Sequence, residues 1–562
     1  MNLKKYLKQG LSLLLAAFMV ASVAGCGGGS SSGGGNKGGN KKDDNADQKF
    51  VLADGVDFDK AYGGYDEPVT VTLGVWQRDT DMSYDDNPFI EFLRTEFNID
   101  VKFEWILPWD QHMEKVNMSI NAGTLPDAVT IYSTQTVKAL LENQSILDLT
   151  PYREYFGNGL LEAYSSYEND SCLAEVSVDG KLGALPSTSV GYQHEVLWLR
   201  QDWLDVLGLD VPKTLDDVIN VAKAFVTQDP DQNGKDDTYG IPYSAYAFGV
   251  DNTGGTIDPL FAAMGSFPGA WLKSSDGKTV YGSTTAETKA ALSKLAELNS
   301  SRIIFCSEDN NGNQIGSGKC GMMFGAWWST HSMQSAFDAN PDATWIATSA
   351  PLDTNGNYCI PQISAALEGN GHLIFSPNAK NPEAVIKMKN ISDGLNAEPS
   401  PFSEDVLSRY KALCESSSNE AFYPIFQQIA PKTAIIDSNN ILLDAVESGD
   451  KSKLIKHQLV QYDNILKFKD DPYSCNSEEW MDAVNLTIGI PAADFDKLKE
   501  MPVNATALPT QFDSKYSNLR ALESQCFYEV ITGVKTIDAF DNFVSDFKKM
   551  GGDEIIAYID GK

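Results

Sequence analysis

The 562-residue sequence is poor in basic residues, in histidine and in closely spaced cysteine, and each shortage argues against a class of function. Lysine and arginine number 44 against 77 aspartates and glutamates, which gives a net charge of −33. Such a chain repels nucleic acid and anionic membrane surfaces, so neither is an expected partner. The five histidines form no HExxH pattern and the cysteines no CxxC pair, so neither zinc nor thioredoxin chemistry is indicated.

Sequence signatures of other enzymes are missing in the same way. Gly316–Gly321 matches GxGxxG, but it precedes a predicted strand instead of following one. The acidic residues are too numerous to identify a glycosidase pair, whose carboxylates need a defined separation. We therefore expect no catalytic activity, and a surface enzyme that degrades glycans remains the alternative.

Only one long apolar stretch is present, Leu11–Val20, and it is too short to span a bilayer. The basic segment Lys4–Lys8 precedes it, and Val23–Cys26 follows as a lipobox with small residues before the cysteine. We interpret residues 1–25 as a signal peptide and Cys26 as the residue that takes the lipid. Two or more acyl chains anchor a protein stably, so we expect it on the outer face of the cell membrane.

The segment that follows the lipobox predicts a disordered tether over residues 26–48, because Ala46 is its only apolar residue after Cys26. About 510 residues remain, which is more than one core usually holds. We expect two lobes, with lobe 1 at 49–187 and about 350–460. Lobe 2 is expected at 188–349 and about 461–562, with the chain crossing near residues 185, 350 and 460.

Strand-like and helix-like patterns alternate from Val69 onward. This alternation predicts βαβ units, a parallel sheet and the α/β class. The predicted strands are 69–76, 101–106 and 128–132, and the predicted helices are 88–97, 109–122 and 136–141. Ligands bind beyond the carboxyl ends of strands in such sheets, so Trp76 and Asp127 are candidate contacts. Further along, we predict a strand at 196–199, helices at 202–207 and 214–227, a strand at 319–324 and two amphipathic helices over 515–548.

Five short motifs in order resemble the extracellular solute-binding proteins of carbohydrate ABC importers, within the branch of large Gram-positive lipoproteins and alginate-binding proteins. The resemblance runs from about residue 69 to 555. It is carried by NAGTLPD at 121–127, DGKLGALP at 179–186, LRQDWL at 199–204, GKCGMM at 318–323, and ITG with FDNFV at 531–533 and 540–544.

The resemblance implies a periplasmic-binding-protein-like fold of two α/β lobes joined by a hinge of crossing segments. It implies that a carbohydrate, most simply an oligosaccharide, is captured between the lobes and delivered to a separate membrane permease. Closure of this kind works because the ligand binds the closed state better. A monomer is expected, and a binding protein for a peptide or another non-sugar solute is a second alternative.

The loop that begins at Asp229 matches a calcium-binding loop of the EF-hand type. Oxygen-bearing side chains stand at loop positions 1, 3, 5 and 9, and glycine at position 6 allows the sharp turn. We expect a structural Ca²⁺ there, although Gly240 replaces the usual glutamate at position 12, and a solvated turn is the alternative. The expected ligands are Asp229, Asp231, Asn233, Lys235 through its carbonyl group, and Asp237.

Sugars offer C–H faces that stack on aromatic rings and hydroxyl groups that bond to carboxylates and amides. Trp327 and Trp328 follow a predicted buried strand and are candidates, as is Tyr192 near a crossing. For Asp127 the alternative is that its carboxylate caps a local turn. Trp198 and Trp203 are expected in the core. Seven cysteines follow Cys26, an odd number, and no pairing is predicted.

Overall fold

The computed structural model describes most of the chain from residue 50 onward. The signal peptide, Cys26, the tether and Tyr192 lie outside the described residues, so those assignments stay predictions. The described residues are 50–77, 84, 87–190, 195–244, 255–307, 315–333, 337, 342–349, 351–353, 355–367, 371–397, 399–416, 428–493 and 497–561.

The strands of the described chain are mostly short. They are β1 Val69–Trp76, β2 Ile99–Leu107, β3 Ala128–Ile131, β4 Ser177–Val178, β5 Lys181–Leu182, β6 Leu185–Pro186, β7 Val196–Arg200, β8 Ile241–Ser244, β9 Trp271–Lys273, β10 Thr279–Tyr281, β11 Ile304–Ser307, β12 Met322–Gly325, β13 Trp345–Ser349, β14 Tyr358–Pro361, β15 His372–Phe375, β16 Leu498–Met501 and β17 Val503–Ala505.

Helices provide most of the remaining regular structure. They are α1 Phe58–Tyr62, α2 Pro88–Phe97, α3 Trp109–Ala122, α4 Thr134–Glu142, α5 Asn158–Ser165, α6 Ser171–Ala174, α7 Gln201–Leu207, α8 Leu215–Thr227, α9 Asp258–Ala263, α10 Ala286–Ser300, α11 Pro382–Asn396, α12 Glu404–Ser416, α13 Ala434–Ser448, α14 Lys456–Asp470, α15 Ser477–Val484, α16 Ile490–Ala492, α17 Asp513–Ile531, α18 Ala539–Lys549 and α19 Gly552–Asp560.

The chain divides into two compact units. Unit 1 ends at Gly191 and resumes over Ser364–Ser438, and unit 2 comprises Tyr192–Ile363 and Asn439–Lys562. From the sequence, we expected the chain to cross between the two units near residues 185, 350 and 460. Each crossing point depends on pairing between distant segments, which a local pattern does not contain.

Unit 1 is built on a five-stranded sheet in the order β2-β1-β3-β15-β6. β1 pairs in parallel with β2 and β3, whereas β15 runs antiparallel to β3 and β6. The parallel strands are rich in β-branched residues such as Val69, Val71 and Val101, which fit a pleated, buried surface. The predicted α/β class is confirmed in this unit.

In unit 2, strand β7 lies between β12 and β13 and is antiparallel to both. Every residue of β7 is buried. Trp198 and Trp203 lie in the core, as predicted. Helix α8 begins with a reciprocal capping box in which Thr214 and Asp217 each bond the other's backbone N–H, at the start of the helix predicted over 214–227.

Two sequence expectations concern the chain as a whole. None of the seven described cysteines after Cys26 forms a disulfide, and the Cys172 and Cys320 side chains are buried, where burial raises the pKa of each thiol. Of the helices in the described part of the chain, none combines the length and the apolar character needed to cross a membrane.

Candidate functional site

Three aromatic side chains lie at the carboxyl edge of the parallel strands of unit 1. Trp76 is the last residue of β1 and pairs in register with Leu107, the last residue of β2. Trp109 begins α3 directly beyond β2, and Tyr132 directly follows β3. Since the carboxyl ends of parallel strands share one edge of a sheet, the order of strands brings the three rings together.

The three rings form a continuous chain of edge-to-face contacts, which we call the edge aromatic cluster. The ring centroids of Trp76 and Trp109 are 4.8 Å apart at an interplanar angle of 70°. Those of Trp109 and Tyr132 are 4.6 Å apart at 69°. Trp109 is 38 % exposed and its two neighbours are half-buried, so the cluster offers apolar ring surface to a solute.

The position of Trp109 is set by the packing beneath it. The Trp105 indole N–H donates to Nδ1 of His112 on α3 at 3.1 Å, which joins β2 to the helix that Trp109 begins. Burial lowers the pKa of His112, and the neutral ring keeps Nδ1 available as an acceptor. Gly74 is needed here, because a Cβ at that position would lie 2.4 Å from the Trp105 ring.

Asp127 lies at the amino end of β3, away from the carboxyl edge. Its Oδ2 accepts from the Thr72 backbone N–H at 2.8 Å and from the Thr72 hydroxyl at 2.9 Å. Its own backbone N–H donates to Thr72 Oγ1 at 2.9 Å. These bonds tie β3 to β1, so the carboxylate joins two neighbouring strands, a role that neither sequence alternative named.

In unit 2, Trp327 and Trp328 follow β12 after a single intervening alanine. Their rings are edge-to-face, with centroids 5.2 Å apart at 83°. Trp327 is only 9 % exposed, whereas Trp328 is half-buried and is the more accessible ring. The Trp198 indole N–H donates to the Ala326 carbonyl at 3.1 Å and fixes the turn that carries both.

In the loop after α8, three carboxylates accept hydrogen bonds from the backbone or the side chain of Asn233. Asp229 accepts from the backbone N–H groups of Asn233 at 3.2 Å and Gly234 at 3.0 Å. The Asn233 side-chain nitrogen donates to Asp231 at 2.7 Å and to Asp237 at 3.0 Å. Burial and the adjacent Asp229 carboxyl raise the pKa of Asp231, and the Asn233 amide lowers that of Asp237. The amide therefore lies where two carboxylates converge.

These residues fit Ca²⁺ by donor type and spacing, but the fit is incomplete. Among the described residues no three acidic, histidine or cysteine side chains are grouped as a metal site. Gly234 has φ +75° and makes the sharp turn that the motif requires. Gly240 stands at position 12 because a Cβ there would lie 1.9 Å from the Ile303 carbonyl oxygen. Packing thus excludes a glutamate at that position.

The structure brings Trp76 together with Trp109 and Tyr132, two residues that the sequence analysis did not select. The signal was available, since Tyr132 ends a predicted strand as Trp76 does, and Trp109 lies just beyond another. Trp327 and Trp328 form a second aromatic pair in unit 2. Asp127 joins neither group.

Comparison with known proteins identifies the relatives of this chain. Residues 79–390 match the family model described as bacterial extracellular solute-binding protein. The chain is 32 % identical over 159 residues to lipoprotein LipO of Bacillus subtilis, which is 28 % of this chain and 30 % of LipO. It is 31 % identical over 208 residues to the polygalacturonan/rhamnogalacturonan-binding protein YtcQ of Bacillus subtilis, 36 % of this chain and 38 % of YtcQ. Each match thus covers about a third of the curated relative.

One solved structure is similar in fold to this chain over nearly the whole length of the solved protein. It is an EF-hand mutant of the ABC-transporter substrate-binding protein FusA of Streptococcus pneumoniae, in complex with fructo-nystose. The TM-score is 0.54 at 16 % identity, and the match covers 87 % of this chain and 98 % of FusA. The solute-binding-protein fold predicted from the sequence is confirmed.

Proposed function

The chain belongs to the bacterial extracellular solute-binding proteins, and on that premise we propose that it captures a carbohydrate, most simply an oligosaccharide, for an ABC importer. The edge aromatic cluster carries the proposal. Aromatic rings at the carboxyl edge of a parallel sheet suit the apolar C–H faces of sugar rings. YtcQ is named for binding polygalacturonan and rhamnogalacturonan, and FusA was solved in complex with fructo-nystose, which supports the same substrate class.

The proposed contacts in unit 1 are Trp76, Trp109 and Tyr132. Trp109 is the most exposed of the three. In unit 2 they are Trp328 and Trp327. Tyr192 stays a proposed contact from the sequence alone. Asp127 is the weakest candidate, because Thr72 already engages one of its carboxylate oxygens.

Trp109→Ala is expected to weaken binding of oligosaccharide by about tenfold or more, because it removes the central ring of the cluster. A tenfold loss corresponds to about 1.4 kcal/mol, which is in the range of one aromatic contact. The measurement is isothermal titration calorimetry with neutral fructo-, gluco- and xylo-oligosaccharides and with acidic oligogalacturonides.

Phe58→Ala is the matched control for Trp109→Ala. Phe58 is 37 % exposed and, like Trp109, is the first residue of a helix in unit 1, but it lies outside the cluster. Equal losses of affinity in the two variants would contradict the site. If the wild-type chain bound peptides and none of the oligosaccharides, the proposed substrate class would be wrong.

A structural Ca²⁺ in the loop after α8 is part of the proposal. The side chains of Asp229, Asp231, Asn233 and Asp237 and the carbonyl of Lys235 would hold it, and water or another oxygen would fill position 12. The EF-hand named for FusA supports this assignment. The ion would neutralise converging carboxylates and close the loop, since calcium prefers six to eight oxygen ligands.

Calcium is expected to raise the melting temperature by several degrees, and a chelator is expected to reverse the change. A ligand at about 100 times its dissociation constant stabilises the folded state by about 2.7 kcal/mol. Asp231→Asn is expected to abolish the response. Asp236→Asn is the control, because Asp236 pairs with Arg302 at 2.6 Å and is outside the ligand pattern. A response that Asp231→Asn leaves unchanged would rule out this loop as the site.

The lipid anchor at Cys26 and the tether of residues 26–48 complete the proposal. LipO is named as a lipoprotein, which supports an anchored, extracellular location. A tether would raise the effective concentration of the binder near its permease and leave it free to reorient. No catalytic step is proposed: a bound oligosaccharide should be recovered intact after incubation, and the appearance of shorter products would indicate an enzyme.

A further inference from the structure

Helices α15 and α16 of unit 2 are joined by one π-helical turn, Asn485–Gly489. Pro491 lies just beyond it and has no N–H to donate to the Thr487 carbonyl, which a regular α-helix would require. The backbone widens at this point. Single π-turns inside helices are frequently found at functional sites.

Two other segments of unit 2 contact this turn. The Thr330 hydroxyl, in the segment after β12, bonds Oδ1 of Asn485 at 2.8 Å. A Cβ on Gly489 would lie 2.3 Å from the Trp327 carbonyl oxygen, so the two backbones are in close contact. The Asn439 side-chain nitrogen donates to the Leu486 carbonyl at 3.0 Å. The turn, the segment 326–330 and the α13 residue Asn439 therefore meet.

Each of the two contacting segments contributes buried polar atoms that have no hydrogen-bond partner within the described chain. They are the Trp327 indole N–H, the Ser329 hydroxyl and the Asn439 side-chain oxygen. All three residues are more than nine-tenths buried. A buried polar group left without a partner costs about 1–3 kcal/mol. We call Trp327, Ser329, Asn439 and the π-turn the π-turn cluster.

We propose that the π-turn cluster binds a hydroxyl or hydroxymethyl group of an uncharged sugar, an assignment that rests on the proposed carbohydrate function. A sugar hydroxyl donates one hydrogen bond and accepts up to two. The cluster offers a donor in Trp327, a carbonyl acceptor in Asn439 and a group that does either in Ser329. None of the three carries a charge, so the cluster fits a neutral hydroxyl better than the carboxylate of a uronic acid.

The test is calorimetric titration of the full chain with kestose, maltotriose and xylotriose as neutral probes and with trigalacturonic acid as the acidic probe. The wild-type chain should bind a neutral trisaccharide more tightly than the acidic one. Ser329→Ala and Trp327→Phe should each lower that affinity by about tenfold, since each removes one hydrogen bond to the sugar and leaves the apolar surface nearly unchanged.

Trp203→Phe is the matched control. Trp203 is also fully buried in unit 2, and its indole N–H also has no partner in the described chain, but it packs against Phe225 away from the π-turn. It should leave affinity within about twofold, with melting temperatures confirming that every variant is folded.

The possible results distinguish a failure of the π-turn cluster from a failure of the proposed carbohydrate binding. Affinities that survive in both Ser329→Ala and Trp327→Phe would overturn the cluster while leaving carbohydrate binding intact, as expected if internal water satisfies these atoms. Equal losses in Trp327→Phe and Trp203→Phe would also overturn it, as would tighter binding of trigalacturonic acid. Failure of the wild-type chain to bind any of the sugars contradicts the proposed function and the inference together.

Discussion

Asp393→Ala is expected to lower the free energy of unfolding by about 3–5 kcal/mol, because it strands a charge inside unit 1. Lys389 and Asp393 form an ion pair one turn apart on α11, and their side chains are only 5 % and 8 % exposed. Burial raises the pKa of Asp393, and the Lys389 ammonium opposes that rise. Without the carboxylate, the ammonium would stay buried with its main counter-charge removed.

Glu415→Ala provides the matched control on α12. Lys411 and Glu415 have the same order and spacing, but their side chains are 76 % and 69 % exposed. Exposed helix pairs of this kind contribute about 0.3–0.5 kcal/mol. Denaturant unfolding should also show that Lys389→Met with Asp393→Leu recovers most of the loss, because two apolar side chains need no partner. Similar losses in Asp393→Ala and Glu415→Ala would show that burial does not set the energy of this pair.

Acidification from pH 6.5 to pH 4 is expected to destabilise unit 1 through His372. This residue is fully buried in β15, and neither ring nitrogen has a hydrogen-bond partner within the described chain. Burial lowers the pKa of His372 to about 4. In the unfolded chain, His372 takes up a proton near pH 6.5, whereas in the folded chain it stays neutral down to about pH 4. The contribution of His372 to the free energy of unfolding is therefore complete above pH 6.5 and is lost as the pH falls through the pKa of the folded state.

The size of this effect follows from the shift. Each pKa unit corresponds to about 1.36 kcal/mol, so the contribution over this window is about 3 kcal/mol. The measurement compares denaturant unfolding of the wild type and His372→Leu at intervals from pH 7.5 to pH 4. The carboxylates titrate in both proteins, so their effects cancel in the difference. Parallel stability curves would disprove a role for His372.

Local pattern was enough to place the elements that carry the edge aromatic cluster of unit 1. Helix α3 occupies the predicted residues 109–122, and β1 occupies the predicted residues 69–76. Helical spacing of apolar residues and runs of β-branched residues are properties of a few consecutive positions. A capping box spans only four residues, which is why the start of α8 at Thr214 was equally predictable.

Long-range packing supplied contacts that the sequence could not show. Asp127 could either bind a ligand or cap a turn, and its partner Thr72 is 55 residues away along the chain. Gly240 looked like a defect in the calcium motif until the structure placed it against Ile303. Ser329 and Asn439 carry no sequence signal, because their lack of a hydrogen-bond partner within the described residues depends on burial against a turn that lies far along the chain.

The sequence by itself therefore determined the class of fold, the family resemblance and the candidate calcium loop, since each depends on residue types in short, ordered patterns. Tertiary structure alone decided which side chains share a surface. Strand order brings Trp109 and Tyr132 beside Trp76, and the π-turn gathers polar atoms from separate segments of unit 2. Adjacency in space arises from pairing and packing between distant parts of the chain, and no local pattern specifies it.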